Sequence, residues 1–161
     1  QALPAGQAGE IWIRGVTVMQ GYWHQPEATA QALRGGWFHT GDIGYIDDEG
    51  YLFVVDRLKD VINRSGEKIA AAELESCLLM HTQVAEAAVF ARPDDTHGEV
   101  PVAVVVPQPG VDLQAADVTA HVAQRLASYK VPAEVIVRSE AMPRNPAGKL
   151  LKGELKRLYL S

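Results

Sequence analysis

The sequence holds a single cysteine, Cys77, which rules out an internal disulfide framework and a zinc site built from cysteines. One thiol fits a reducing compartment, and a cytoplasmic location is expected. No apolar run approaches the length that spans a bilayer. The opening QALPAGQAGE has no basic stretch leading into an apolar one, so it does not read as a signal peptide. It also lacks an initiator Met, and the chain is expected to be a fragment of something longer. Basic charge is scarce. The 15 Lys and Arg stand against 20 Asp and Glu, for a net charge of −5. That balance argues against a general nucleic-acid binder while leaving room for a local basic pocket. The five histidines show no metal spacing, and His81, His97 and His121 read as surface or helix-end residues. Repeats and low-complexity tracts are lacking too.

What is present is enough apolar material for a core. Apolar residues are 47% of 161, which suits one ordinary domain or two small ones. The first third reads as short antiparallel strands. Residues 10–18 (EIWIRGVTV) alternate and predict a strand with a bend at Gly15. Pro26 opens a short helix to about Leu33, which Gly35-Gly36 ends. Residues 37–40 predict a short strand and Gly41-Asp42 a turn. Residues 44–46 and 51–55 predict a hairpin through Asp47-Asp48-Glu49-Gly50.

The pattern then changes. Residues 60–63 and 68–69 flank a second hairpin, Arg64-Ser65-Gly66-Glu67. Residues 71–80 predict a helix with Leu74, Cys77 and Leu78 on one side, and Cys77 reads as a small core residue. Strands are expected at 84–91, at 100–106 and at 135–137, the second covered on both faces. Helix 113–127 sets Val118, Val122 and Leu126 on one stripe. A Pro- and Gly-rich loop at 142–148 leads to a closing helix, 150–160, with Leu151, Leu155 and Leu158 inward. The fold class is α+β: a short antiparallel β segment, then a small α/β unit of a sheet covered by helices.

Three loops carry chemistry. In His39-Thr40-Gly41-Asp42, the Asp is either a turn former bonding its own backbone or a carboxylate facing two adjacent hydroxyls, such as a ribose diol. In Arg57 to Gly66, Arg57 is either a fork for phosphate or sugar or half of a surface ion pair with Asp56 or Asp60. Gly66 serves turn geometry. In Pro143-Arg144-Asn145-Pro146-Ala147-Gly148-Lys149, a Lys stands at a helix start, against the helix dipole. That conflict is either without consequence or a sign that Lys149 is aimed at an outside anion. Gly148-Lys149-Leu150 is no phosphate-cradling P-loop, because the upstream Gly and the following Ser or Thr are missing.

Four segments in this order resemble the adenylate-forming superfamily, which includes acyl-CoA and aryl-CoA synthetases, firefly luciferase and the adenylation domains of nonribosomal peptide synthetases. They are GEIWIRGVTVMQGYWHQPEAT, GGWFHTGDIGYIDDEGYLFVVDRLKDVINRSGEKI, LASYKVP and PRNPAGKLLKGELK. The resemblance covers nearly the whole chain. It implies that residues 1–57 are the β-rich end of a large AMP-binding domain and residues 58–161 its C-terminal cap domain. That family's phosphate loop and acyl pocket are not in this sequence.

By the same resemblance, Asp42 holds the ribose hydroxyls of ATP and Arg57 contacts ribose or phosphate. Lys59 sits at the hinge about which the cap turns. Gly66 and its hairpin line a pantetheine tunnel. Lys149 is the catalytic cation, reaching the α-phosphate and the substrate carboxylate. The resemblance thus implies an ATP-dependent carboxylate–CoA ligase, with a fatty acid as the expected substrate. ATP and CoA are co-substrates, and Mg2+ is expected to find its ligands outside this chain. The rest of the large domain is the expected protein partner. Two departures stand out: Asn145-Pro146 where Thr and a small residue are frequent, which leaves that loop's hydrogen bonding open, and Ala71 for a frequent Pro. Two other readings stay open: an inactive binding module, and a domain that loads a carrier protein.

Overall fold

Alternation in GEIWI forms strand β1 (Gly9–Ile13) in the computed structural model, which describes residues 2–160. Gln1 and Ser161 lie outside the described residues. The chain divides between Lys59 and Asp60 into two compact units, Gln1–Lys59 and Asp60–Ser161.

In the first unit β1 is shorter than its apolar alternation implies. Gly15 takes a φ of 151°, and Val18 N–H bonds the Gly15 carbonyl at 3.2 Å, so a turn replaces the expected far end of the strand. Helix α1 (Pro26–Ala32) starts at its proline, as the fixed φ of Pro favours. Strand β2 (Phe38–Ile46) is one continuous strand where two strands and a turn were expected. With β3 (Leu52–Arg57) it completes an antiparallel sheet of order β1-β2-β3.

The register explains the difference at Gly41-Asp42. Glu10 pairs with Ile43 and Trp12 with His39, so Thr40, Gly41 and Asp42 together face Ile11 alone. The surplus is taken up as a bulge, and Gly41 supplies the φ of 70° that it needs. The unit has little core of its own. All fully buried apolar side chains among the described residues lie at or beyond Ile62, whereas Trp12, Ile13, Leu52, Phe53, Val54 and Val55 are exposed.

The second unit opens with the hairpin of β4 (Val61–Arg64) and β5 (Glu67–Ala70). Helix α2 (Ala71–Leu79) follows directly. The long hairpin of β6 (Val84–Asp94) and β7 (Gly98–Pro107) comes next, then α3 (Ala115–Ala123), β8 (Glu134–Val137) and α4 (Lys152–Tyr159). The sheet runs β5-β4-β7-β6, with β8 parallel to β7. The β6–β7 ladder extends to Asp94↔Gly98, past the expected strand ends. Asp94 Oδ1 accepts the N–H groups of Thr96 and His97 and so closes the turn locally.

Strand β7 is covered on both faces, as its near-continuous apolar sequence implies. Ala103 and Val105 pack with Leu74, Leu78, Val118 and Val122, and Cys77 lies in this layer. Val102 and Val104 pack with Phe90, Met142 and Leu155 on the other side. Full burial of each of the Val, Leu, Phe and Met side chains among these is worth about 1.5–3 kcal/mol.

Two helices differ from their sequence pattern. α3 stops at Ala123, and Leu126 packs from the segment beyond it. α4 begins after Leu151, and Leu158 is exposed rather than inward. The i, i+4 partner of buried Leu155 is Tyr159, which packs there instead.

Candidate functional site

In the first unit the bulge places Asp42 opposite Arg57 across β2 and β3. Arg57 Nε lies 2.9 Å from Asp42 Oδ1, and both side chains keep access to solvent. The guanidinium thus pairs with Asp42 across the two strands, while an Asp56 carboxylate oxygen accepts the Arg57 backbone N–H at 2.7 Å. A carboxylate beside a forked cation offers acceptors for hydroxyls and donors for phosphate or sugar oxygen.

Glu10 holds this segment from β1. Its carboxylate accepts Trp12 Nε1–H at 2.7 Å and the Gly41 N–H at 3.3 Å, and lies 3.1 Å from His39 Nδ1. Burial alone would raise the Glu10 pKa. The hydrogen bonds from Trp12 and His39, the charge of His39 and the Gly41 N–H outweigh it and hold the group below its ordinary range. Thr40 completes the frame: its hydroxyl donates to the Ile11 carbonyl at 2.8 Å and accepts the Asp42 N–H at 3.0 Å. Sequence reasoning missed Glu10 and Thr40 as supports for Asp42, because the contact depends on a cross-strand register that local patterns do not reveal.

Lys59 lies in a short 3-10 turn, Leu58–Asp60, as the last residue of the first unit. Gly66 lies in the second unit, at the tip of the β4–β5 hairpin. Ser65 (φ 51°) and Gly66 (φ 91°) give two consecutive positive φ values, the mark of a type I′ turn. The Ser65 N–H bonds the His97 carbonyl at 2.8 Å, and Ser65 Oγ lies 3.0 Å from His97 Nδ1. The hairpin tip is thus fixed to the β6–β7 turn.

Lys149 is exposed in the loop before α4. The helix N-cap is Leu151, so Lys149 is not in the first helical turn, and the expected conflict with the helix dipole does not arise there. No ion pair to its ammonium occurs among the described residues.

The loop backbone is closely bonded. The Lys149 N–H donates to Asn145 Oδ1 at 2.8 Å. The Asn145 N–H donates to the Lys149 carbonyl at 2.9 Å, and the Gly148 N–H to the Asn145 carbonyl at 2.8 Å. Arg144 donates to the Gly148 carbonyl at 3.0 Å and pairs with Glu86 on β6. Asn145 thus supplies the bonding that its unusual place in the motif left open. Among the described residues, no group of three or more His, Cys, Asp or Glu is placed to hold a metal ion. No helix among them is long and apolar enough to cross a membrane.

Residues 73–149 match the family described as the AMP-binding enzyme C-terminal domain. The 2-succinylbenzoate–CoA ligase of Geobacillus kaustophilus is 51% identical over 94% of this chain and 31% of its own length. A feruloyl-CoA synthase from an Amycolatopsis species is 46% identical over 99% of this chain and 32% of its own. Among solved structures, the o-succinylbenzoate CoA synthetase of Bacillus subtilis, in complex with its acyl-adenylate intermediate, is 41% identical with a TM-score of 0.86. That match covers 97% of this chain and 32% of the other. The chain therefore spans 31–32% of the length of these relatives.

Proposed function

The chain belongs to the adenylate-forming superfamily, matching the C-terminal portion of its CoA ligases, and we propose that the whole protein is an ATP-dependent, AMP-forming carboxylate–CoA ligase. Two half-reactions make up that activity. A carboxylate oxygen attacks the α-phosphorus of ATP and pyrophosphate leaves, giving an acyl-adenylate. The sulfur of CoA then attacks the acyl carbon and AMP leaves.

In the first step Asp42 accepts from the ribose hydroxyls and Arg57 donates to ribose or phosphate oxygen. Lys149 faces the two anions that must approach one another, the carboxylate and the α-phosphate. A cation placed where charge develops is worth a few kcal/mol of barrier. In the second step the cap turns about Lys59, withdraws Lys149, and brings the Gly66 hairpin to the pantetheine arm. Mg2+ enters as the partner of ATP, with ligands outside this chain, and no step here runs through it.

The observation that carries this reading is the Lys149 loop: an exposed ammonium, with no ion pair among the described residues, on a backbone fixed at both the N–H and the carbonyl of its own residue. We further propose that residues 1–57 are the end of a larger nucleotide-binding domain and residues 58–161 its cap. The small core of the first unit, with its apolar β3 exposed, supports this division. By itself the 161-residue chain is proposed to be an inactive binding module, since its Gly148-Lys149-Leu150 segment lacks the makings of a phosphate-cradling loop.

On substrate, the names of the two relatives, a 2-succinylbenzoate ligase and a feruloyl-CoA synthase, favour an aromatic carboxylic acid over the fatty acid expected from sequence. The test is to supply the full-length enzyme with ATP, CoA and a panel of aryl and fatty acids. Release of AMP with an aryl-CoA thioester is expected. A fatty acyl-CoA product would restore the first expectation. Acyl transfer to a phosphopantetheinylated protein but not to free CoA would replace the ligase reading with carrier loading.

A further inference from the structure

A charged contact ties the Lys149 loop to the sheet at Glu86. Glu86 stands on β6, between Val84 and Ala88, both of them buried. Its carboxylate pairs with Arg144, and its other oxygen accepts the Met142 N–H at 3.3 Å. Met142 is itself buried against Phe90 and Leu155, so the root of the loop is packed into the second unit. The Arg144 fork does two things. One nitrogen meets Glu86 and another donates to the Gly148 carbonyl at 3.0 Å. The Gly148 carbonyl belongs to the peptide unit whose N–H is that of Lys149, and that N–H is taken by Asn145 Oδ1 at 2.8 Å. Both polar ends of the peptide preceding Lys149 are therefore bonded to side chains of its own loop. The backbone of Arg144 also bridges to Leu150, which closes the loop into a narrow antiparallel turn.

We propose that Arg144, anchored by Glu86, is a positioning residue for Lys149: it fixes the peptide from which the ammonium is projected, so that the remaining freedom lies in the lysine side chain alone. This rests on the reading of Lys149 given above. The Arg144 side chain is 48% exposed and that of Glu86 22% exposed. An ion pair so placed adds little to stability. Its effect on geometry is another matter, since a displacement of about 1 Å at a reacting group can cost on the order of a hundredfold in rate. Lysine at position 144 could meet Glu86 but, as a point charge without the planar fork, would not hold the carbonyl in the same geometry.

The test uses the full-length enzyme with Arg144→Ala, Glu86→Gln, Lys149→Ala and the Arg144→Ala/Lys149→Ala pair. Single-turnover adenylate formation, thioester formation from supplied acyl-AMP, and melting temperature are each measured. Arg144→Ala and Glu86→Gln are expected to slow adenylate formation about tenfold to a hundredfold, with thioester formation and melting unchanged. In the Lys149→Ala background, Arg144→Ala is expected to have no further effect, because it acts through the lysine. Undiminished adenylate formation in Arg144→Ala, an equal loss with and without Lys149, or an equal loss in both half-steps would each overturn the positioning role. Should Lys149→Ala alone leave adenylate formation intact, the reading of Lys149 fails first, and that result is distinct from the others.

Discussion

Asp42 and Arg57 sit opposite one another on β2 and β3, with Arg57 Nε 2.9 Å from Asp42 Oδ1. They are 15 residues apart in sequence, and neither is in a turn. The β2–β3 register makes them one group. Hydrogen bonds to charged groups are worth about 1.5–3 kcal/mol, and each 1.4 kcal/mol is about tenfold in affinity. Asp42→Asn and Arg57→Ala in the full-length enzyme are therefore expected to weaken ATP use by about ten- to a hundredfold. The KM for ATP with carboxylate saturating is the measure, and an unchanged value would remove the pair from the nucleotide site.

Lys59 ends one unit and Asp60 begins the next. Proline at position 59 would lock φ near −65° and remove a backbone donor. Lys59→Pro is expected to depress overall ligation by obstructing the change between half-reactions. Steady-state thioester production measures it. Wild-type turnover in this variant would mean that the pivot is elsewhere.

His121 is expected to make the second unit sensitive to acid. Its Nε2 lies 2.9 Å from the Cys77 carbonyl, which can only accept, so that nitrogen carries the hydrogen. Burial lowers the pKa of His121 from its ordinary value of 6.5. The bond to Cys77 opposes the shift, while the nearby charges of Arg125 and His81 add to it. The folded chain thus holds His121 neutral at a pH where the unfolded chain takes up a proton. The stability so gained is full above pH 6.5 and declines as pH falls below it toward the folded pKa. Denaturant unfolding at pH 7 and pH 5 is expected to show lower stability at pH 5, with a smaller difference in His121→Gln. An identical pH dependence in the variant would place the acid sensitivity elsewhere.

Leu155 and Leu158 separate burial from pattern. Leu155 is 0% exposed and Leu158 59% exposed on the same helix. Leu155→Ala is expected to cost about 2–5 kcal/mol, and Leu158→Ala about 0.5 kcal/mol or less. Urea unfolding of the two variants measures the difference, and equal losses would mean that Leu158 is covered in solution.

Much of the second unit was legible because its signals are local. The β4–β5 turn is written in Ser65-Gly66, the α2 stripe in Leu74 and Leu78, and the double cover of β7 in its unbroken run of apolar residues. Leu158 and Tyr159 both stand one turn on from buried Leu155, and the spacing alone does not show that Tyr159 takes the covered side. The first unit was harder to read. Gly41-Asp42 looks like a turn in isolation and becomes a bulge only against Ile11 on another strand. The site residues followed the same division. Lys149 and Asp42 stand in recognisable segments, whereas Glu10, Thr40, Glu86 and Arg144 act through contacts across 29 to 58 residues of chain, or through a loop closed on itself. No single window contains such contacts.

The account turns on the ammonium at position 149 serving one half-reaction and not the other. The direct test is Lys149→Ala in the full-length enzyme, with pyrophosphate release from ATP and carboxylate measured beside thioester formation from supplied acyl-AMP. Pyrophosphate release is expected to fall by about a hundredfold or more, with thioester formation within about twofold of the parent. Equal loss of both, or loss of neither, would contradict it.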